Sequence, residues 1–331
     1  MKAIVNKGAG DPRQITITDV PQPTLADGQV LIQVKAASVN IVDTQGYQNF
    51  YPTQTVSWQS QLLDKLYVHG ENKILGADGA GIVTAVGDNV TSLKVGDEVC
   101  FIADDYLHGA WAEMIAVSAK NVALKPANLS FTAAAALPTT AGTALAALKK
   151  ARVHAGEHVL LNGASGGVGL FALQLAKAMG AVVTAVVSPH NFELARSAGA
   201  DEIVDYHQTN ITARPHTKFD VIIGLNGYHS SHDYAKILHY NGRYVAIGGV
   251  KQVMEAASLG ALSAIGRQKQ IGITSLYALK NNWLQELASY AQAGQLHPYI
   301  DQTFAFTDAQ KAVEYAATQH LKGKVVLQVA E

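Results

Sequence analysis

The chain has few charged residues and a single cysteine, and each shortage excludes a class of protein. Only 15% of its 331 residues are charged, whereas 48% are hydrophobic. Since about 25% of a typical soluble domain is charged, this chain is apolar enough to bury the surface that offsets the entropy of ordering. Intrinsic disorder is therefore excluded. The lone Cys100 also excludes an internal disulfide and a zinc cluster built from several cysteines.

The charges that are present do not cluster. The 25 Lys and Arg residues face 26 Asp and Glu residues, for a formal net charge of −1, and no basic block indicates a nucleic-acid partner. No apolar run reaches about 18 residues without a charge, a proline or several polar residues, so no membrane-spanning helix is expected. The start, MKAIVNKG, turns polar too early for a signal peptide. We expect a soluble cytoplasmic protein.

The pattern of the chain changes near residue 130, and its length predicts two domains. Residues 1–127 contain short β-branched runs between Gly, Pro and Asp turns, which predict a compact antiparallel barrel. After residue 130, strand-like and helix-like runs alternate, which indicates βαβ units and a parallel sheet. The predicted helices are 131–151, 167–179, 191–198, 233–239 and 309–318, and the predicted strands are 158–161, 182–187, 202–204, 221–223, 243–247 and 324–329. The predicted class is α/β, with divisions at 1–127, 128–290 and a returning segment, 291–331.

A glycine-rich turn follows the first of these later strands. Residues 162–169 read NGASGGVG and lead into the helix, which is the context of a dinucleotide-binding turn. Glycines let the backbone approach a pyrophosphate, whose charge then faces the helix N-terminus. The match to G-x-G-x-x-G is imperfect because Ala164 takes the first position, and a tight turn that needs glycine only for packing is the alternative. The candidate cofactor-binding residues are Ser165, Gly166, Gly167 and Val168.

The end of the second strand predicts which dinucleotide binds. An acidic residue about 20 positions beyond the turn would bond the ribose 2′-hydroxyl of NAD, but Ser188 stands there. A carboxylate would repel a 2′-phosphate, whereas Ser188, His190 and Asn191 can donate hydrogen bonds to it. This favours NADP(H). The alternative is that His190 and Asn191 only cap the helix that follows.

Several ordered motifs resemble one known family. The segments GADGAGIV at 76–83, VGDNV at 86–90 and VGDEV at 95–99 are similar to the barrel signature of medium-chain dehydrogenases/reductases. With the glycine turn, they resemble the zinc-independent quinone oxidoreductase (zeta-crystallin-like) branch. Further matches at 37–43, 137–144, 199–206, 242–244 and 323–326 extend the resemblance over nearly the whole chain. It implies a GroES-like barrel, completed by the returning segment, and a Rossmann doubly wound parallel sheet.

Zinc enzymes of this family take metal ligands from a cysteine and from a Gly-His-Glu motif. Here the corresponding positions look like Asn40 and the segment 76–78, which reads Gly-Ala-Asp. An amide and a methyl group cannot replace thiolate and imidazole, so no catalytic zinc site is expected. His229 and His232 have helical i, i+3 spacing that could bind a metal, but a solvated polar loop is the better interpretation of these residues.

Without zinc, hydrogen-bond donors must stabilise the substrate oxygen. The candidates are Asn40, Tyr47 and Tyr51, and a tyrosine hydroxyl could also pass on a proton. The alternative is that the two tyrosines are aromatic walls. Residues 53–72 look long for the family and suggest a helical insertion, which either forms a lid or packs on the barrel.

The resemblance also implies further cofactor contacts, a dimer and an activity. It implies a homodimer through edge strands, with 245–250 and 272–276 as the candidate contact region. The expected activity is NADPH-dependent hydride transfer to a small-molecule quinone or α,β-unsaturated carbonyl. The alternatives are a zinc-free ketone reductase or alcohol dehydrogenase, and a non-enzymatic NADPH-binding protein. The implied cofactor contacts are Thr143, Tyr206, Gly248, Gly249, Val250, Thr274, Ser275, Leu276 and Lys324.

Overall fold

The computed structural model describes residues 1–8, 11–44, 47, 73–214, 216–248, 250–263, 270–274, 276–279 and 282–330. Within these ranges no helix combines the length and apolar character needed to cross a membrane. The strands are β1 (Lys2–Asn6), β2 (Ile15–Asp19), β3 (Gln29–Val39), β4 (Lys73–Ile74), β5 (Asp78–Val86), β6 (Glu98–Ile102), β7 (Met114–Ser118), β8 (Val122–Leu124), β9 (His158–Asn162), β10 (Val182–Val187), β11 (Glu202–Asp205), β12 (Phe219–Gly224), β13 (Leu238–Ala246), β14 (Gln270–Ile273), β15 (Ile300–Ala305) and β16 (Lys324–Gln328). The helices are α1 (Ile41–Thr44), α2 (Phe131–Ala135), α3 (Pro138–Ala151), α4 (Gly167–Ala178), α5 (Phe192–Ser197), α6 (Ser231–Ile237), α7 (Val250–Ser263), α8 (Trp283–Gln292) and α9 (Ala309–Thr318).

The first compact unit comprises residues 1–139, 281–293 and 298–331. Its larger sheet has the order β15-β16-β3-β5-β6-β8, with β7 also paired to β3, and a smaller sheet has the order β2-β1-β4. Strand β16 pairs antiparallel with β3, with Val325 opposite Val39 and Gln328 opposite Ala36. The end of the chain therefore returns to the N-terminal sheet, as the sequence predicted.

The second compact unit comprises residues 140–280 and 294–297. Its six strands are all parallel, in the order β11-β10-β9-β12-β13-β14. Counted within the unit, this is the order 3-2-1-4-5-6 of a Rossmann sheet. Strands β9 and β10 are almost continuously buried, because helices cover both faces of such a sheet. The predicted fold class, a GroES-like unit plus a Rossmann sheet, is confirmed.

The predicted helix 131–151 is wrong in one respect, because the structure contains two helices there. Helix α2 begins after Ser130, whose hydroxyl accepts the Ala133 N–H at 3.2 Å. Helix α3 begins at Pro138, since proline fits the first turn of a helix but not its interior. The predicted domain boundaries stay predictions, and the predicted insertion at 53–72 lies outside the described residues.

Candidate functional site

The glycine turn between β9 and α4 has the backbone that a pyrophosphate site requires. Gly163 lies at φ +90°, in the left-handed region that favours glycine. A Cβ at Gly166 would meet only open space, whereas a Cβ at Gly169 would lie 2.6 Å from the Ala164 carbonyl carbon. Gly163 thus makes the tight turn, Gly166 leaves the approach to the backbone open, and Gly169 allows close packing at the start of the helix. The turn itself falls on Gly163, which explains why Ala164 is tolerated in the first motif position.

The start of α4 offers hydrogen-bond donors to an anion. Gly166 is its N-cap and provides no side-chain cap, and the first turn carries no acidic residue. The first N–H groups of a helix have no acceptor within the helix, and the helix dipole makes this end positive. The predicted contacts at 165–168 therefore lie where a dinucleotide phosphate would fit.

The end of β10 is followed by polar side chains, none of them a carboxylate. Asn191 Nδ2 donates to Ser188 Oγ at 3.2 Å, and His190 is exposed. Asn191 is the N-cap of α5 but makes no side-chain cap hydrogen bond, so the capping alternative does not describe its side chain. Asn191 Oδ1 is buried and has no partner within the described part of the chain. These groups fit a ligand that bonds at this strand end.

The neighbouring strand end carries a carboxylate that the sequence reasoning missed. Asp205 is the last residue of β11 and pairs in register with Val187. One oxygen of Asp205 accepts the His207 N–H at 2.9 Å, and the other is buried without a partner among the described residues. Tyr206 follows it, 55% exposed, with its ring centroid 4.2 Å from that of His207. An acidic residue at the end of a strand was the available signal.

The other predicted cofactor contacts follow β13 and β14 or lie in a helix. A Cβ at Gly248 would lie 1.5 Å from the Leu225 carbonyl oxygen, and the Thr274 hydroxyl is buried without a partner in the described ranges. Since the carboxyl ends of parallel strands meet at one edge, the turns after β9, β10, β11, β13 and β14 share that edge. Gly249 and Ser275 lie outside the described residues; Val250 begins α7, Leu276 is buried, and Thr143 is half-buried in α3.

In the first unit, Asn40 belongs to a buried polar cluster, which we call the Asn40 cluster. Its members, each no more than 5% exposed, are Ser38, Asn40, Asp43, Asp78 and Lys324. The Asn40 amide donates to Ser38 Oγ at 3.1 Å and to Asp78 Oδ1 at 2.8 Å, and its oxygen accepts from Lys324 Nζ at 2.6 Å. The two acceptors are themselves 2.5 Å apart, since Ser38 Oγ donates to Asp78 Oδ1, so the Asn40 amide group serves acceptors inside this cluster.

The charges of the Asn40 cluster are unusual for a protein interior. The pKa of Asp43 is raised to about 7, mainly because the carboxyl is buried; the Asn40 N–H hydrogen bond and the Lys324 ammonium oppose this rise, and the Asp78 carboxylate adds to it. Burial also lowers the pKa of Lys324, against the attraction of both carboxylates. Lys324 Nζ also donates to the Val39 carbonyl at 3.1 Å. The ammonium thus holds the end of β3, while its predicted cofactor contact stays a prediction.

Asp78 stands where zinc relatives carry a metal-binding motif. Its carboxylate accepts hydrogen bonds from Ser38 Oγ, from the Asn40 amide and, at 2.8 Å, from the Thr139 N–H. Within the described ranges, no three or more His, Cys, Asp or Glu side chains are grouped so as to hold a metal ion. The expectation of a zinc-free site stays a prediction.

Of the two candidate tyrosines, the structure describes only Tyr47. Tyr47 is 1% exposed and packs in the apolar core of the first unit, which favours the interpretation of an aromatic wall. Tyr51 lies outside the described residues. Asp43, three residues after Asn40, was missed as a cluster member, although the Asn-x-x-Asp spacing allows its carboxylate to accept the Asn40 N–H, here at 2.7 Å.

Comparison with known proteins agrees with this architecture. Residues 26–127 match the alcohol dehydrogenase GroES-like domain and residues 198–327 match a family described as zinc-binding dehydrogenase. The chain is 32% identical over 326 residues to the NAD(P)H oxidoreductase RTN4IP1, mitochondrial, of Bos taurus, covering 91% of this chain and 82% of the relative. It is 32% identical over 325 residues to the NADPH-dependent alkenal/one oxidoreductase, chloroplastic, of Arabidopsis thaliana, covering 94% and 74%.

A solved structure extends the likeness to the whole chain. The quinone oxidoreductase from Coxiella burnetii superposes with a TM-score of 0.82 at 29% identity, covering 100% of this chain and 99% of that one. The family resemblance of the sequence motifs is therefore confirmed. The chain belongs to the medium-chain dehydrogenase/reductase superfamily, in its quinone and alkenal oxidoreductase branch.

Proposed function

We propose that the protein is an oxidoreductase that transfers hydride from NADPH to quinones or α,β-unsaturated carbonyls without a catalytic zinc. The observation that carries this proposal is the sheet edge of the second unit. There the glycine turn opens α4, and the next strand is followed by Ser188 and Asn191 rather than by a carboxylate. The names of two relatives, an alkenal/one oxidoreductase and a quinone oxidoreductase, support the substrate class.

Different residues of the second unit would bind different phosphates of the dinucleotide. The N–H groups at 165–168 neutralise the pyrophosphate, and Ser188, His190 and Asn191 donate to the 2′-phosphate. Bound NADPH would supply the hydride. Asp205 at the neighbouring strand end limits how much negative charge this pocket accepts, so the preference for NADPH depends on donors outweighing one carboxylate.

The first unit would supply the hydrogen-bond donor for the substrate oxygen. As hydride arrives at carbon, negative charge develops on that oxygen, and a hydrogen-bond donor lowers the barrier. We assign this role to Tyr51, because Tyr47 is buried in the apolar core of the first unit and the Asn40 amide already serves the Asp78 carboxylate and Ser38. The Asn40 cluster then has the role of fixing the backbone that leads from β3 into α1.

The test is a panel of quinones, enones and simple ketones, each assayed with NADPH and with NADH, together with alcohols assayed with NADP⁺ and with NAD⁺. We expect turnover of quinones or enones with NADPH and little with ketones or alcohols. Turnover of simple ketones or alcohols alone would support the ketone reductase alternative. Tight NADPH binding without turnover of any compound would support the non-enzymatic alternative, and absence of dinucleotide binding would refute the proposal as a whole.

A further inference from the structure

A second buried polar cluster lies directly behind the proposed cofactor edge, and we call it the Asn162 cluster. It comprises Asn162, Tyr234, Tyr244 and Gln252, each no more than 3% exposed. Asn162 Nδ2 lies 2.8 Å from Tyr234 Oη, and Gln252 Nε2 donates to Tyr244 Oη at 2.7 Å. The two tyrosine rings lie 4.7 Å apart. Burial raises the pKa of both hydroxyls, so they stay protonated and able to donate as well as accept.

Asn162 joins this cluster to the loop that follows β12. The same Nδ2 lies 2.9 Å from the Asn226 carbonyl oxygen and 2.9 Å from the Gly227 carbonyl oxygen. The main-chain oxygen of Asn162 accepts the Leu225 and Asn226 N–H groups at 3.0 Å each. One residue at the end of β9 therefore holds residues 225–227 through both its side chain and its backbone.

Residues 225–227 in turn lie very close to two glycines, Gly163 and Gly248, at the sheet edge where the cofactor is proposed to bind. A Cβ at Gly163 would lie 2.7 Å from the Asn226 N, and a Cβ at Gly248 would lie 1.5 Å from the Leu225 carbonyl oxygen. At Gly224 a Cβ would lie 2.2 Å from Gln252 Nε2. Such close approach leaves the turn after β9, the loop after β12 and the turn after β13 little room to move independently.

Apolar side chains could fill this volume, but they would not fix the loop in one orientation. A side-chain amide is directional, and its loss would leave the buried Tyr234 hydroxyl without this donor, which is costly. Asn162 also directly precedes Gly163, the residue whose left-handed conformation starts the phosphate-binding turn. A turn already in its bound shape loses less entropy when the ligand arrives.

We propose that Asn162 is a positioning residue for the dinucleotide: by anchoring residues 225–227 against Gly163, it holds the phosphate-binding turn in its binding shape before the cofactor arrives. This inference rests on the proposed function, since it requires that NADPH or NADH binds this edge. It assigns no contact between Asn162 and the cofactor.

The experiment compares Asn162→Leu, which has a similar volume but no donors, with the wild type. The matched control is Gln174→Met, because Gln174 is also a buried amide of the second unit, and its Nε2 donates to the Leu170 and His297 carbonyls at 3.1 Å each. Both variants lose hydrogen bonds of a buried side chain. Only Asn162→Leu loses the side-chain hydrogen bonds that hold residues 225–227. The readouts are the Kd for NADPH by calorimetry, the melting temperature of the cofactor-free protein, and amide hydrogen exchange at 163–169 and 225–227.

We expect Asn162→Leu to weaken NADPH binding at least about tenfold, equivalent to about 1.4 kcal/mol, and to speed exchange in both segments. Gln174→Met should change the Kd by less than about twofold at a comparable loss of melting temperature. Unchanged binding by folded Asn162→Leu, or equal weakening in the control, would overturn the proposal.

If Asn162→Leu does not fold, Asn162→Ser replaces it as the test of the proposal, since serine keeps one donor in a smaller side chain. Binding weakened about threefold or more, with faster exchange at 225–227, supports the anchor, and an unchanged Kd overturns it. If the wild type binds neither NADPH nor NADH, the proposed function fails first and this inference with it.

Discussion

Replacing Asp43 by asparagine should remove a large pH dependence from the stability of the protein. Asp43 is fully buried, and its pKa is raised from 3.8 to about 7, mainly by burial. Well below pH 3.8 the carboxyl is protonated in both the folded and the unfolded state. As pH rises towards 7 the unfolded state releases the proton while the folded state keeps it, so this group's contribution to stability is lost over that window.

The magnitude follows from the two pKa values. Where the states differ by one bound proton, the free energy of unfolding falls by about 1.4 kcal/mol per pH unit. Between pH 5 and pH 8, the Asp43 carboxyl alone should cost the wild type about 2.5 kcal/mol. Asparagine keeps an oxygen that accepts the Asn40 N–H, now 2.7 Å from the carboxylate, and it does not titrate.

The assay is urea unfolding of wild type and Asp43→Asn at pH 5, 6, 7 and 8. The difference in unfolding free energy, variant minus wild type, should rise by about 2.5 kcal/mol across this range, because titrating groups that do not interact with Asp43 cancel in the difference. Asp19→Asn, at an aspartate whose side chain is 78% exposed, is the control and should follow the wild type. Parallel curves for wild type and Asp43→Asn would refute the idea that burial in the Asn40 cluster keeps this carboxyl protonated.

Three further predictions concern the cofactor, the metal and the assembly. Ser188→Asp should weaken NADPH at least about tenfold relative to NADH, because a carboxylate a few ångströms from the 2′-phosphate costs on the order of a few kcal/mol; kcat/KM for both cofactors, with neutral Ser188→Asn as control, measures this, and an unchanged ratio contradicts it. Elemental analysis should find no stoichiometric zinc, since Asn40 and Ala77 supply no ligands; one zinc per chain with activity lost on chelation would be the contrary result. Light scattering should give a dimer, because β14 ends the order of the described parallel sheet; a monomer at micromolar concentration would oppose it.

The sequence by itself determined the local elements and the order of the two folds. The NGASGGVG turn after an apolar strand predicted the start of α4, and the alternation after residue 130 predicted the parallel sheet. These features depend on the conformational preferences of neighbouring residues, which act over a few positions. The same local rules explain why the predicted helix 131–151 is two helices: proline fits the first turn of a helix but not its interior, so α3 begins at Pro138.

Only the tertiary structure decided which distant residues meet. Lys324 bonds Asn40 across 284 positions because β16 pairs with β3, and Asn162 bonds Tyr234 across 72 positions because α6 packs behind the sheet edge. The raised pKa of Asp43 is likewise a property of burial beside another carboxylate. Periodicity predicts that a side chain is buried but not which partner it finds, since the partner is set by strand order and register.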